Sequence, residues 1–369
     1  MKKNSQIILI VICYAFFLAA LSSCKEPLST IQSHQEALLY PIRQNEKEGF
    51  INASGEIIVT PQFDWVDFFD EGFARVMING KYGFVDSTGK IVIEPQFDYV
   101  NGFRDGLASV NLNGNYYFID KTGKIVFDIQ SEPTFIHGFS EGFAVTKVDG
   151  KYGFIDKTGN IVIEPQFYYA STFREGLAEI NFGDWKNPKY GFIDKSSRII
   201  ISPKYKDVLQ FSEGLAAVKT DNDKWGFINK DGEIVIEPQF SMGMFHEGLA
   251  GVYVNDIGGC IDKKGKFVIE PKYEFPPSFC EGLAAVKIGN KCGYIDKTGK
   301  VMIDFQFDDA SHFSNGIAAV TKDSHFFYID KNGKMIWESN STPRIWIGYG
   351  FSSFLNDKIK GKEDYKTEQ

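Results

Sequence analysis

One spacing constrains this chain more than any other feature. A glycine opens a short apolar segment at Gly72, Gly106, Gly142, Gly176, Gly214, Gly248, Gly282 and Gly316, at steps of 34, 36, 34, 38, 34, 34 and 34 residues. The stretch from Gly282 to Phe307, GLAAVKIGNKCGYIDKTGKVMIDFQF, shows the unit whole. A fixed period of this size means one supersecondary unit copied in tandem, each copy burying its apolar face only against its neighbours. A length of 369 residues would ordinarily suggest two domains. Repeats override that expectation, because they grow by addition instead of splitting into separate cores.

Each unit divides into four short segments, clearest between Gly214 and Phe240. Gly214 to Val218 is small and apolar. A turn at Asn222-Asp223 leads to Lys224-Trp225-Gly226-Phe227-Ile228, and a reversal at Lys230 to Glu233 leads to Ile234-Val235-Ile236. Pro238 is expected to end that strand, since proline has no N–H for an interior ladder. Elsewhere a fourth segment stands out, as in Phe97 to Val100 with Phe103. Runs of four to six β-branched and aromatic residues separated by Gly, Asn, Asp and Lys read as strands joined by hairpins. The 34 Phe and 17 Tyr suit a pleated, half-buried surface. The predicted fold is all-β: tandem antiparallel meanders of ~35 residues, propeller-like, with an open β-solenoid as the rival. Nine copies is a high number for a closed ring. Neither the ALLYPIR stretch (Ala37 to Arg43) nor the hairpin from Phe326 to Trp337 offers an obvious strand exchange to fasten one.

The segments KWGFI at Lys224, KYGFV at Lys81, KYGFI at Lys151 and Lys189, and KCGYI at Lys291 recur with IVIEPQF and EGLA. Together they resemble the WG (KWG) repeat family of bacterial proteins over roughly residues 38 to 340. The resemblance implies a repeat scaffold and carries no catalytic signature. Tyr116-Tyr117-Phe118 and Phe326-Phe327-Tyr328 lose the glycine of the motif.

The first residues stand apart. Lys2 and Lys3 precede an apolar run from Ile7 to Leu21, then Leu21-Ser22-Ser23-Cys24. This is the layout of a secretory signal, and the small residues before cysteine resemble a bacterial lipobox. Residues 1–23 are read as a lipoprotein signal peptide, Cys24 as the acylated residue, 24–36 as a tether, 37–340 as the repeat domain and 341–369 as an aromatic patch with a charged tail. The apolar run is short for a span of roughly 20 residues. The expected location is the bacterial envelope, at its outer membrane, with the membrane as a partner through lipid. A net charge of -8 without a basic run argues against nucleic acid. Of the remaining cysteines, Cys260, Cys280 and Cys292 replace residues that other copies fill differently, and one disulfide among them is open.

The candidate chemistry is mostly periodic. The Asp of GFID (Asp86, Asp120, Asp156, Asp194, Asp262, Asp296 and Asp330) sits where a side chain bonds the N–H two residues on. The Glu of IVIEP and the Glu before Gly-Leu (Glu141, Glu175, Glu213, Glu281) are read as solvated or turn residues. His137, His246 and His312 share a position but lack companions at metal spacing, so no metal and no cofactor are expected. Catalysis needs one special place, and the polar residues here are spread evenly. The expected function is a non-enzymatic binding or scaffold module for a protein or glycan ligand, with a polysaccharide-acting enzyme as the alternative. Sites on a scaffold arise where loops break the period. The clearest break is Phe182 to Pro188, which adds four residues and Trp185. Trp185, together with Tyr168 and Tyr169 of the fourth segment, is the ligand-binding candidate.

Overall fold

The computed structural model describes residues 39–129, 138–184, 186–339 and 341. The signal segment with Cys24, the tether, His137, Trp185 and most of the C-terminal patch and tail lie outside them. Among the described residues there is no helix, and strands form nine separate antiparallel sheets in chain order. Each is a contiguous meander. The sixth is typical: Asp207–Val208, Ala216–Lys219, Trp225–Ile228 and Ile234–Phe240 pair in that order. Below, these four positions are the short, small-residue, aromatic and Ile-rich strands. The first, fourth and eighth sheets have three strands.

The turns follow from local chemistry. Asp86 Oδ1 accepts the N–H of Thr88 at 2.9 Å, its hydroxyl at 2.6 Å and the N–H of Lys90 at 3.1 Å. Asn229 does the same for Asp231 and Glu233. The periodic Asp is therefore a turn residue, as its spacing suggested. These bonds hold its carboxylate form, and the hydroxyl of Thr158 chiefly keeps Asp156 below the usual carboxylate range.

Proline does not end the Ile-rich strand. Ile234–Phe240 runs through Pro238, because this strand is the outermost of its sheet and needs no donor beyond it. The ladder bulges there: Phe227 pairs with Ile236 but Trp225 pairs with Phe240. The bulged strand crowds the aromatic one. A Cβ on Gly226 would sit 2.5 Å from the Ile236 carbonyl oxygen and 2.7 Å from the Pro238 nitrogen. This contact explains the glycine of the motif. Where glycine gives way to Tyr117 and Phe327, the pairing runs without that bulge: Tyr117 faces Asp128, and Phe327 faces Glu338.

Rings on the aromatic strand fill the core. Phe154, Trp225 and Phe227 are all at most 3% exposed. Phe154, Phe192, Phe227 and Tyr294 each meet a ring from the following segment at 4.8 or 4.9 Å (Phe173, Phe211, Phe245 and Phe313). Small residues take the crowded positions: Ala178 packs among Phe154, Phe167 and Phe173 between the fourth and fifth sheets.

The Glu before Gly-Leu does more than turn the chain. Ser212 and Leu215 bond each other across Glu213-Gly214, and both central residues have positive φ, 53° and 82°. This is the hairpin turn in which Gly is at home and Glu is strained. The Glu213 carboxylate accepts the N–H of Gly248 in the next repeat, 3.0 Å from each oxygen, and pairs with Lys263 at 3.1 Å. Glu71, Glu141 and Glu175 repeat this latch to Gly106, Gly176 and Gly214, as Glu281 does to Gly316. They are not merely solvated.

The contacts divide the described chain into two compact units, one holding residues 62–276 and the other residues up to 61 with those from 277 onward. In the second unit, the first sheet packs against the ninth. Tyr328 donates its hydroxyl to the Pro41 carbonyl at 2.7 Å, Tyr40 to Asn315 at 2.9 Å, and Ser339 to Arg43 at 3.1 Å. Tyr40, Ile42 and Ile51 share a core with Ile317, Ala319, Phe326 and Tyr328. An open line of repeats would keep its first and last sheets apart, so the fold is propeller-like. Among the described residues no strand is exchanged, and side chains close this seam. Cys260 and Cys292 are buried and form no disulfide, so neither joins Cys280.

Candidate binding face of the fifth sheet

The fifth sheet comprises Tyr169–Ala170, Leu177–Asn181, Tyr190–Asp194 and Ile199–Tyr205. The period-breaking insertion sits between its small-residue and aromatic strands. Asn181 ties the neck: its Oδ1 accepts the N–H groups of Gly183 and Lys189, both at 2.8 Å. Asp184 Oδ1 then accepts those of Lys186 and Asn187 at 2.9 Å. Gly183 is required, since a Cβ there would stand 2.0 Å from the Asn187 carbonyl oxygen. The tied loop makes an open depression of about 500 Å³. Phe182, Ile199 and Pro203 line it with apolar surface, while Gly183, Asp184, Asn187 and Lys189 supply polar groups.

Trp185 itself lies outside the described residues. Tyr168 is half exposed, and Lys151 Nζ stands 3.0 Å from the centre of its ring. Tyr169 is half-buried, its ring between those of Tyr152 at 5.8 Å and Tyr190 at 6.1 Å. The two tyrosines therefore differ in reach: Tyr168 faces solvent and Tyr169 packs. The other aromatic residues of this segment divide likewise, with Tyr99 half exposed and Phe240 buried.

Beside the neck lies a polar group that the periodic reading passed over. Glu179 precedes Ile180 and Asn181 on the small-residue strand and is 3% exposed. Burial, then the neighbouring Asp207 carboxylate, push its carboxyl up to about 8, partly offset by a hydrogen bond with Ser171. Burial likewise raises Asp207 to about 6, and burial first, then the Asp207 and Glu179 charges, push Tyr190 up to about 12. Gln210 closes the group, its amide 3.2 Å from the Ser171 hydroxyl and 3.3 Å from the Thr172 carbonyl. A signal existed in the sequence: Glu179 stands where sister strands carry Ala217, Gly251, Ala285 and Ala319. Arg75 and Ser109 occupy the same position in the second and third sheets, where Arg75 pairs with Asp67 and Ser109 accepts from Asn101 at 2.7 Å.

The family model of the WG containing repeat matches residues 49–82, 82–116, 118–152, 152–184, 190–225, 225–256, 259–292 and 293–324. No curated protein matches the sequence. Among solved structures, a crystal structure described as the eukaryotic initiation factor resembles the chain at a TM-score of 0.60 and 13% identity, covering 83% of this chain and 96% of that one. The computationally designed Ika8 protein follows at 0.44 and 11%, covering 66% and 86%. BamB from Moraxella catarrhalis gives 0.41 and 13%, covering 74% and 92%. At such identities the first likeness concerns the fold alone, and the other two carry no argument. With eight matches in tandem between residues 49 and 324, the chain belongs to the WG-repeat family.

Proposed function

We propose that this protein is a lipid-anchored module of the bacterial cell envelope, held at the outer membrane through Cys24, that binds a protein or glycan ligand without catalysing a reaction. The observation that carries the reading is the depression at the insertion. It is open, mixes apolar and hydrogen-bonding groups, and arises where the chain departs from its period. Ligand sites combine an apolar lining with a few placed polar groups, which is the composition of this surface.

The distribution of carboxylates supports a non-enzymatic role. Hydrolysis of a polysaccharide needs two carboxyl groups reachable from one substrate. The Asp side chains of the GFID turns are engaged by N–H groups of their own turns, and the Glu side chains of the latches by the next repeat. Glu179 and Asp207 share one neighbourhood, but Glu179 is buried.

The anchoring test is metabolic labelling with a radioactive fatty acid, in which Cys24→Ala loses the label; equal labelling of both proteins overturns it. A stable anchor requires more than one acyl chain. For binding, the mature chain retains a ligand from an envelope extract or a glycan panel, and Phe182→Ala lowers affinity at least about tenfold while the far-ultraviolet spectrum shows the fold retained. Full retention by Phe182→Ala would remove the depression from the reading.

A further inference from the structure

We infer that the depression on the fifth sheet takes an anionic carbohydrate, a sugar that carries a carboxylate, with Lys189 as its counter-ion. This rests on the reading of that depression as a binding site and names its ligand class. The argument starts from a substitution of partners. In the second sheet Lys81 pairs with Asp98, and in the eighth Lys291 pairs with Asp308 at 2.6 Å. Each lysine opens the aromatic strand, and each aspartate follows the Ile-rich strand opposite it. In the fifth sheet the equivalent positions hold Lys189 and Lys206, flanking the Tyr190–Tyr205 pair. A cation stands where the second and eighth sheets have a carboxylate and the fourth and sixth have the uncharged Tyr168 and Ser241.

Lys206 is satisfied elsewhere, donating to the Asp221 carbonyl at 2.8 Å and lying 3.6 Å from Asp223. Lys189 has no ion pair among the described residues, is exposed, and lines the depression. The near acid of the loop, Asp184, has Oδ1 occupied by two backbone N–H groups. The Ile-rich strand has changed in the same sense. Where other copies read Glu94, Glu164 or Glu237 it has Ser202, and where they read Gln96 or Gln239 it has Lys204. Ser202 and Lys206 are thus more positive than the sisters named, while Lys204 has a counterpart in Lys272 of the seventh sheet, in a chain whose net charge is -8. The gain of positive charge at Ser202 and Lys206, beside an exposed Lys189 on the rim of the depression, favours an anion there.

The remaining lining selects the carrier of that anion. Phe182 and Ile199 are about half exposed, at 40% and 51%, and Pro203 lies beside them. A sugar ring presents a C–H face to such surface and hydroxyls to amides like Asn187. A free phosphate would use the lysine and leave the apolar wall without a role.

The test is titration of the mature chain with oligogalacturonate, with its fully methyl-esterified form, and with inorganic phosphate as competitor. The acid binds at least about tenfold more tightly than the ester, and the preference shrinks as salt screens the exposed charge. Lys189→Gln abolishes that preference while the melting temperature stays put, and Phe182→Ala weakens both forms. Phosphate at equal concentration does not displace the oligosaccharide. Equal binding of acid and ester, an unaltered preference in Lys189→Gln, or displacement by phosphate would each overturn the inference. Equal binding that Phe182→Ala still weakens leaves the depression a binding site and removes only its charge selectivity. If neither form binds, the acidic sugar is wrong, and retention from the envelope extract decides the broader reading separately.

Discussion

Glu179 holds its proton at neutral pH because the sheet gives the charged form neither water nor a cation, and because Asp207 is a second acid nearby. Its carboxyl titrates at about 8 in the folded protein against a reference of 4.5. Folding therefore takes up a proton between those values. The stability linked to this group is complete at the acid end of the window and is lost as pH rises through it, levelling off above. A tenfold change in proton affinity corresponds to about 1.4 kcal/mol, so Glu179→Gln should match the wild type near pH 4 and exceed it by about 2–4 kcal/mol near pH 9. Asp207, raised for the same chief reason, leaves a weaker slope of the same sign in the variant. Urea titrations across that range decide the matter, and parallel curves for the two proteins would show that Glu179 is ionised in the fold. At this scale the sequence is legible where residues repeat. The Asp turns follow from spacing alone. Glu179 does not, because its peculiarity lies in a Leu-Ala-Glu-Ile that reads as an ordinary strand until it is set against its sisters.

At the scale of the element, the bulge opposite Pro238 decides what the aromatic strand must be. Gly226 does not need an unusual backbone angle; it needs an absent side chain. Gly226→Ala should cost about 1–3 kcal/mol by overpacking, since the opposing atoms are backbone and cannot rotate away. Tyr117→Ala, at the corresponding position of a sheet without the bulge, meets no such obstacle and loses only partly buried ring surface. Thermal melts of the two variants compare these effects, and a melt of Gly226→Ala equal to the wild type would mean that the bulge relaxes. The four segments of each repeat were visible as hydrophobic runs between turn residues. The strand's passage through proline was not, because the rule against proline concerns interior ladders and a run of residues does not say whether it lies at an edge. The loss of glycine in Tyr116-Tyr117-Phe118 and Phe326-Phe327-Tyr328 was legible, and the ladder now gives its cause.

Across the whole molecule, stability passes between neighbours through the latches. Glu213 accepts the hinge strain of its own turn and spends its carboxylate on Gly248 and Lys263 of the next repeat. Glu213→Ala should loosen the sixth and seventh sheets first, because each repeat touches only those beside it. Hydrogen exchange should rise at Gly248 and around Lys263 and stay at wild-type values in the second and third sheets. A uniform rise would mean that the repeats unfold as one body. The repeat number and the meander were plain from the period. The seam between the first and ninth sheets was not, since Tyr40 and Tyr328 lie 288 residues apart and share no motif.

The seam has a topological consequence. Ser339 touches Arg43, so the two ends of the repeat domain stand side by side, yet among the described residues no sheet borrows a strand across that joint. The order of synthesis is thus separable from the order of packing. A circular permutant, with residues 39 and 341 joined by a short glycine-serine linker and new ends opened at the Asn222-Asp223 turn, retains every sheet as an uncut meander except the sixth, which is parted only at a hairpin tip. Exposed tips of this kind are where new termini are tolerated. The permutant should give the far-ultraviolet spectrum of the parent and a cooperative melt a few degrees lower, and a chain that instead fails to collapse would reveal that folding must begin from the native N-terminus.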